Sequence, residues 1–168
     1  MKVYFAADHA GFDLKNALMN FVRGELGHDV EDCGAFEKDP NDDYPEIIAG
    51  ACRSIVRDLQ EGLYCRGNIL GGSGQGEAMA ANRFRAVRAA VYYGPTGTQT
   101  DGGGMSLDML ASIRGHNDSN VLSLGARFLT ETDAKQAVKA WLQTPFTGDE
   151  RHVRRIGKLD TIQEQSGV

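Results

Sequence analysis

The chain has 168 residues, of which 41% are hydrophobic and 24% charged, and its formal net charge is −5. That is enough chain for one domain with its own core, and the acidic balance argues against nucleic acid as the main partner. No apolar run approaches the length of a membrane span, so a membrane role is not expected. The first residues run directly into Lys2-Val3-Tyr4-Phe5 without a signal-peptide layout. Cys33, Cys52 and Cys65 are scattered and form no CxxC pair, which disfavours a structural zinc or a disulfide framework. A cytoplasmic protein is expected.

Lys2 to Ala7 reads as a short buried strand. Asp8-His9-Ala10-Gly11 follows, and then Leu14, Ala17, Leu18, Phe21 and Val22 recur at helical spacing. Asp8 and His9 therefore stand where a strand ends and a helix begins. Asp8 is either a helix cap or, with His9, a group facing the crevice above a sheet. Gly24 to Gly27 closes the helix, and His28 to Cys33 reads as a second strand. The polar stretch Gly34 to Tyr44 carries Asp39, Asp42 and Asp43, whose charges are expected to be solvated. Pro45 opens a second helix, with Ile47, Ile48, Ala51, Cys52 and Ile55 on its apolar stripe.

Gly67-Asn68-Ile69-Leu70 leads into Gly71-Gly72-Ser73-Gly74-Gln75-Gly76-Glu77, followed by a helical segment over 78–84. A strand, a glycine turn and a helix start together can form an anion site, because free backbone N–H groups point at the ligand. The loop is not a P-loop, since Glu77 stands where Lys is required, and it lacks the spacing of the dinucleotide fingerprint. Nor is Ser73 in a nucleophile elbow, because residue 75 is Gln. Glu77 either favours the positive end of the helix or serves as a base beside an anion hole.

Val87 to Tyr93 reads as a fourth strand. Gly94 to Met105 is a long connection with five glycines, and 106–113 has helical character. Asn120 to Leu124 is the fifth strand, with Arg127 just beyond it. Glu131 to Leu142 is an amphipathic helix with Trp141 inward. A last helix spans about 149–162; Arg151 and Arg155 share one of its faces, either solvated or clamping a phosphate. Alternating strands and helices predict an α/β, three-layer Rossmann-like fold: a five-stranded parallel sheet with helices on both faces. A single domain over 1–168 is expected, with an inserted loop over about 94–106.

Several separated motifs carry a resemblance. They are Ala7-Asp8-His9-Ala10-Gly11, Asp43-Tyr44-Pro45, the glycine loop through Glu77, Ala80-Ala81-Asn82, His116-Asn117-Asp118, Gly125-x-Arg127 and Arg151-His152-x-x-Arg155. In this order they resemble the ribose-5-phosphate isomerase B family of sugar-phosphate isomerases, also called RpiB/LacAB. The resemblance runs from Lys2 to about Ile162. It implies a metal-free, cofactor-free aldose–ketose isomerase acting through a cis-enediolate, with ribose 5-phosphate and ribulose 5-phosphate as the first pair. A hexose 6-phosphate isomerase, or a non-catalytic phosphosugar-binding module, is the alternative.

One branch of the family takes its base from a cysteine in the glycine loop. Here that position is Gly71, and the chain resembles the branch that uses the glutamate, Glu77. The resemblance further implies that Gly72, Gly74 and Gly76 line the anion hole, that Ser73 supports it and that His116 opens the sugar ring, with Asp8 or Ser73 assisting. Tyr44 and Asn117 would hold sugar hydroxyls. His9, Arg127, Arg151 and Arg155 would hold the phosphate, whose charge is about −1.5 to −2. It also implies a homodimer or dimer of dimers with sites between subunits, His116, Asn117 and Arg127 reaching into a partner's pocket. The segment around Thr96 to Ser106 departs from the family pattern. It is expected to form a lid or to reshape the sugar end, with Arg114 and Asp101 as further pocket or solvated residues.

Overall fold

The computed structural model describes residues 1–100, 102–104 and 106–165. Its central sheet comprises β1 (Lys2–Ala7), β2 (Asp29–Asp32), β3 (Cys65–Gly71), β4 (Ala89–Tyr92) and, after a two-residue pair β5 (Gln99–Thr100) and β6 (Ser106–Leu107), β7 (Val121–Gly125). The order is β2-β1-β3-β7-β4, and every neighbour is parallel. The helices are α1 (Phe12–Gly24), α2 (Tyr44–Gln60), α3 (Gln75–Ala81), α4 (Met109–Gly115), α5 (Glu131–Gln143) and α6 (Glu150–Gln165).

Alternation along the strands divides the core into two layers, because successive side chains point to opposite faces. Val3, Phe5, Leu70, Leu122 and Leu124 face α1 and α5, where they meet Leu18, Val22, Val138 and Trp141. Tyr4, Ala6, Ile69 and Val121 face α2, against Ile48, Cys52 and Ile55. A strand buried on both sides reads as a continuous apolar run, and β1 does. Polar groups inside this core are mostly paired. The Tyr4 hydroxyl donates to Asp58 at 2.6 Å, and the Trp141 indole to Ser119 at 2.9 Å. The fully buried Lys15 donates to Asp32 at 2.6 Å and to the Ala35 carbonyl at 2.7 Å, which ties α1 to the loop after β2.

In the strands, Arg66 Nε lacks a partner among the described residues although its terminal nitrogens are bonded, and the larger exception is Asn68. It lies fully buried on β3, beside Phe5 and Leu122, and neither side-chain amide atom has a partner among the described residues. An unsatisfied buried amide costs about 1–3 kcal/mol. Asn68→Val, apolar and suited to a strand, is expected to stabilise the fold by about 1–2 kcal/mol in urea denaturation. An unchanged or lowered midpoint would show that the amide is satisfied.

Several boundaries differ from the sequence expectation. Helix α3 starts at Gln75 and ends at Ala81 rather than spanning 78–84, because the left-handed Gly74 (φ 73°) turns the chain directly into it. Ser106 and Leu107 are not helical; they pair antiparallel with Gln99 and Thr100, so the inserted segment folds partly as a short hairpin. Helix α4 begins only after Asp108, whose carboxylate accepts from the Ala111 N–H at 2.8 Å. Asp101 lies outside the described residues. Arg114 is not solvated: it is buried, donating to Asp118 at 2.9 Å and to the Thr144 carbonyl at 3.3 Å, and it lines a cleft with Arg66, Arg88 and Asp118.

Candidate active site

Parallel strands put all their C-termini on one edge of the sheet, and that edge gathers the first group of residues. The register pairs Ala7 with Leu70 and Gly71 with Gly125, so the ends of β1, β3 and β7 lie side by side. Asp8, His9, the glycine loop and Arg127 follow those three ends. The loop is pinned to the turn after β7, where the N–H groups of Ala126 and Arg127 donate to the carbonyls of Gly71 and Gly72 at 2.9 and 3.2 Å.

Glu77 sits in the first turn of α3 and is only 4% exposed. Its carboxyl group occupies the space of a missing side chain: a Cβ on Gly71 would stand 1.8 Å from Oε1. Glycine at 71 is therefore what lets the carboxylate turn back over the end of β3. Burial pushes the Glu77 acid above its ordinary value, nearby Asp8 adds to the rise, and the residue's own backbone N–H opposes it. A buried carboxylate with a raised pKa beside a backbone turn is suited to general-base work near neutral pH. The cysteines are not: burial pushes Cys33 and Cys65 up to about 11 and Cys52 to about 12.

The other loop positions are approached as closely. The Tyr44 ring lies where a side chain on Gly76 would begin, 2.6 Å from an ideal Cβ, and the Arg127 guanidinium lies 3.0 Å from the same point on Gly72. Arg127 thus rests on its own chain's loop, because the β7 turn is bonded to that loop. Ser73 is half-buried, and its hydroxyl accepts from the Gln75 N–H at 3.3 Å. Asp8 is buried, and its Oδ1 accepts from the N–H groups of Ala10 and Gly11 at 2.9 and 3.1 Å. It closes a turn before α1, whose first flanking residue is Gly11.

His9 shows a contact that the sequence reading missed. Its Nδ1 lies 2.6 Å from Oδ1 of Asp42, and this pair raises the imidazole above its ordinary value. Asp42 is not solvated as expected: its side chain is 11% exposed. Asp8, His9 and Asp42 are the described residues whose side chains come together as metal donors could. Their hydrogen bonds and ion pair account for that approach, and we do not read them as metal ligands.

The second group lies elsewhere. His116 and Asn117 precede β7, at the N-terminal edge of the sheet. The five residues of β7 separate them from the Glu77 edge by roughly 16 Å. The first turn of α6 covers them: the His152 ring stacks on His116 at 4.4 Å, and Arg151 Nε lies 3.2 Å from His152 Nε2. His116, Asn117, His152 and Arg155 line a cleft of about 360 Å³. Gly102 of the inserted segment approaches the Arg151 guanidinium. One chain therefore brings Asp8, His9, Tyr44, Gly72, Ser73, Gly74, Gly76, Glu77 and Arg127 to one edge, and His116, Asn117, Arg151 and Arg155 to the other.

Residues 3–159 match the family described as Ribose/Galactose Isomerase. The chain belongs to this family. It is 36% identical to the ribose-5-phosphate isomerase B of Mycobacterium tuberculosis, over 95% of this chain and 88% of that one. It is 30% identical to the Escherichia coli ribose-5-phosphate isomerase B, over 98% and 97%. Among solved structures it is similar to the Clostridium thermocellum ribose-5-phosphate isomerase B, with a TM-score of 0.83, 30% identity and 99% of both chains covered. The Mycoplasma genitalium enzyme, solved with bound ribulose-5-phosphate, superposes with a TM-score of 0.80 at 28% identity, covering 97% of this chain and 96% of that one. As a ribose/galactose isomerase, the chain shares its relatives' fold over nearly its whole length.

Proposed function

We propose that this isomerase interconverts ribose 5-phosphate and ribulose 5-phosphate, with Glu77 as the base. The observation that carries the reading is the Glu77 carboxylate, buried in the space that Gly71 leaves beside a turn of backbone N–H groups. In the aldose-to-ketose direction Glu77 takes the C2 proton of the open-chain aldose. The electron pair moves into a C1–C2 double bond and the carbonyl oxygen becomes an enediolate oxygen. Returning that proton at C1, while the O2 hydroxyl proton passes to O1 and the C2 carbonyl forms, gives the ketose. Donors at Gly72, Gly74 and Gly76 stabilise the developing negative charge, with Ser73 shaping the loop. His9 and Arg127 hold the phosphate from this side.

His116, Asn117, Arg151 and Arg155 join the same substrate from a second copy of the chain, which makes the working form at least a dimer. The support is their position at the far edge of their own sheet. A shared interface brings the two edges together, and a two-fold arrangement completes two sites at once. His116 then opens the sugar ring, Tyr44 and Asn117 hold hydroxyls, and the arginines complete the phosphate clamp. The three cysteines are free thiols, which fits a cytoplasmic location. No described helix is long and apolar enough to cross a membrane.

A second reading is a hexose 6-phosphate as substrate, with the specificity set by the inserted segment, whose Gly102 approaches Arg151. The assay compares ribose 5-phosphate, allose 6-phosphate and galactose 6-phosphate in the presence of EDTA. Fast turnover of the pentose that survives chelation is the expected result. Turnover of a hexose alone would keep the chemistry and move the specificity to the hairpin. Turnover of none would contradict the isomerase reading.

A further inference from the structure

Asp42 stands in an acidic stretch that looks like an ordinary solvated loop, yet it is drawn in against His9, 33 residues away in sequence. Both sides of the contact are built. Lys15 holds the carbonyl of Ala35 and the carboxylate of Asp32, anchoring the loop's start to α1. Tyr44, at the loop's far end, is packed on Gly76. Between these anchors Asp42 places Oδ1 on the imidazole, while its Oδ2 is buried and has no hydrogen-bond partner among the described residues. No other cation among the described residues shares this carboxylate in a hydrogen bond or ion pair, so its charge acts mainly on His9.

The geometry has a chemical consequence. A carboxylate on Nδ1 requires that nitrogen to carry a proton. Nε2 is then either a bare lone pair, which repels a phosphate oxygen, or an N–H donor on a cationic ring. We propose that Asp42 is a positioning residue for substrate binding: it fixes the His9 ring and keeps it cationic, so that Nε2 donates to the substrate phosphate. This rests on the reading of His9 as a phosphate ligand. The charged groups facing His9 are Asp42 and Asp8, which favour the imidazolium, and Arg127, which opposes it. Asp42 is the largest of these influences, so its loss leaves Asp8 alone to oppose Arg127 and the desolvation of the ring.

Asp42→Asn separates charge from shape, because the amide oxygen can still accept from Nδ1–H. The informative quantity is the ratio of mutant to wild-type KM for ribose 5-phosphate across pH. The substrate's own phosphate titration affects both proteins and cancels. At about pH 7.5 the ratio is expected to be about tenfold, the loss of a charge-assisted bond, with most of the change in KM and not in kcat. At about pH 5.5, where an ordinary imidazole is protonated anyway, it is expected to fall below about threefold. Nuclear magnetic resonance titration of His9 in the free protein should show its pKa lowered in Asp42→Asn. His9→Asn is the control. If it leaves KM unchanged, His9 does not hold the phosphate and the proposal falls with that reading. If it raises KM while Asp42→Asn follows wild type at every pH, or leaves the His9 titration unmoved, the role of Asp42 alone is overturned.

Discussion

Glu77→Gln is expected to lower kcat for ribose 5-phosphate by at least ~10²-fold with little change in KM, while raising the stability of the protein at neutral pH. Both halves come from one fact. The carboxylate is buried beside Asp8, and burial lifts its pKa above the ordinary value. The raised pKa makes the carboxylate a stronger base than a solvated one. It also makes charging it inside the fold unfavourable. A carboxyl whose folded pKa exceeds its unfolded one stabilises only in its protonated form. That contribution is fully present below the unfolded value and is lost as pH rises through the folded value.

Removing the charge should therefore raise the melting temperature near pH 7. The gain should shrink as pH falls below the Glu77 pKa, where the wild type is protonated as well. In the wild type, kcat should decline on the acid side as pH falls through that same raised pKa. A Glu77→Gln protein with near-normal turnover would show that another group takes the proton. One that is inactive but no more stable would show that the buried carboxylate is better compensated than its surroundings indicate.

The parts of the site that the sequence made legible are those whose signals are local. Gly71 to Glu77 is punctuated by glycines, a serine and an acid within seven positions, and a strand run precedes it. Asp8, His9 and Arg127 also stand directly after strand-like runs, so an α/β sheet had to bring them to one edge. Trp141 and Cys52 lie in apolar stripes and are fully buried. Asp108 announced the start of α4 as a capping residue. Reading helical character into Ser106 and Leu107 passed over that signal, because a strand pair of two residues has no periodicity to detect.

Non-local contacts were not legible. The position of β7 between β3 and β4 follows from the crossover, and no residue pattern marks it. That His116 and Arg127 stand at opposite edges follows instead from the strand that runs between them, whatever its place in the order. The contact of Arg127 with Gly72 depends on the two backbone bonds that pin the turn after β7 to the loop. Asp42 looked solvated because its neighbours in sequence are acidic, while its neighbour in space is a histidine. Arg114 looked like a residue of the sugar pocket because it precedes His116, but it is buried against Asp118 and lines a different cleft with Arg88.

The central claim is that each working site combines the Glu77 edge of one chain with the His116 edge of another. His116→Ala is expected to lower kcat by about 10²-fold, since it removes an acid/base group from the same reaction. Glu77→Gln and His116→Ala should then rescue one another. Carrying different tags and expressed together, the two inactive chains form mixed dimers that can be purified. In a mixed dimer one site holds both substitutions and the other holds neither. The expected activity is about half that of the wild-type dimer, from the single intact site. Mixed dimers as inactive as either parent would contradict the shared site, and would require Glu77 and His116 of one chain to serve the same substrate.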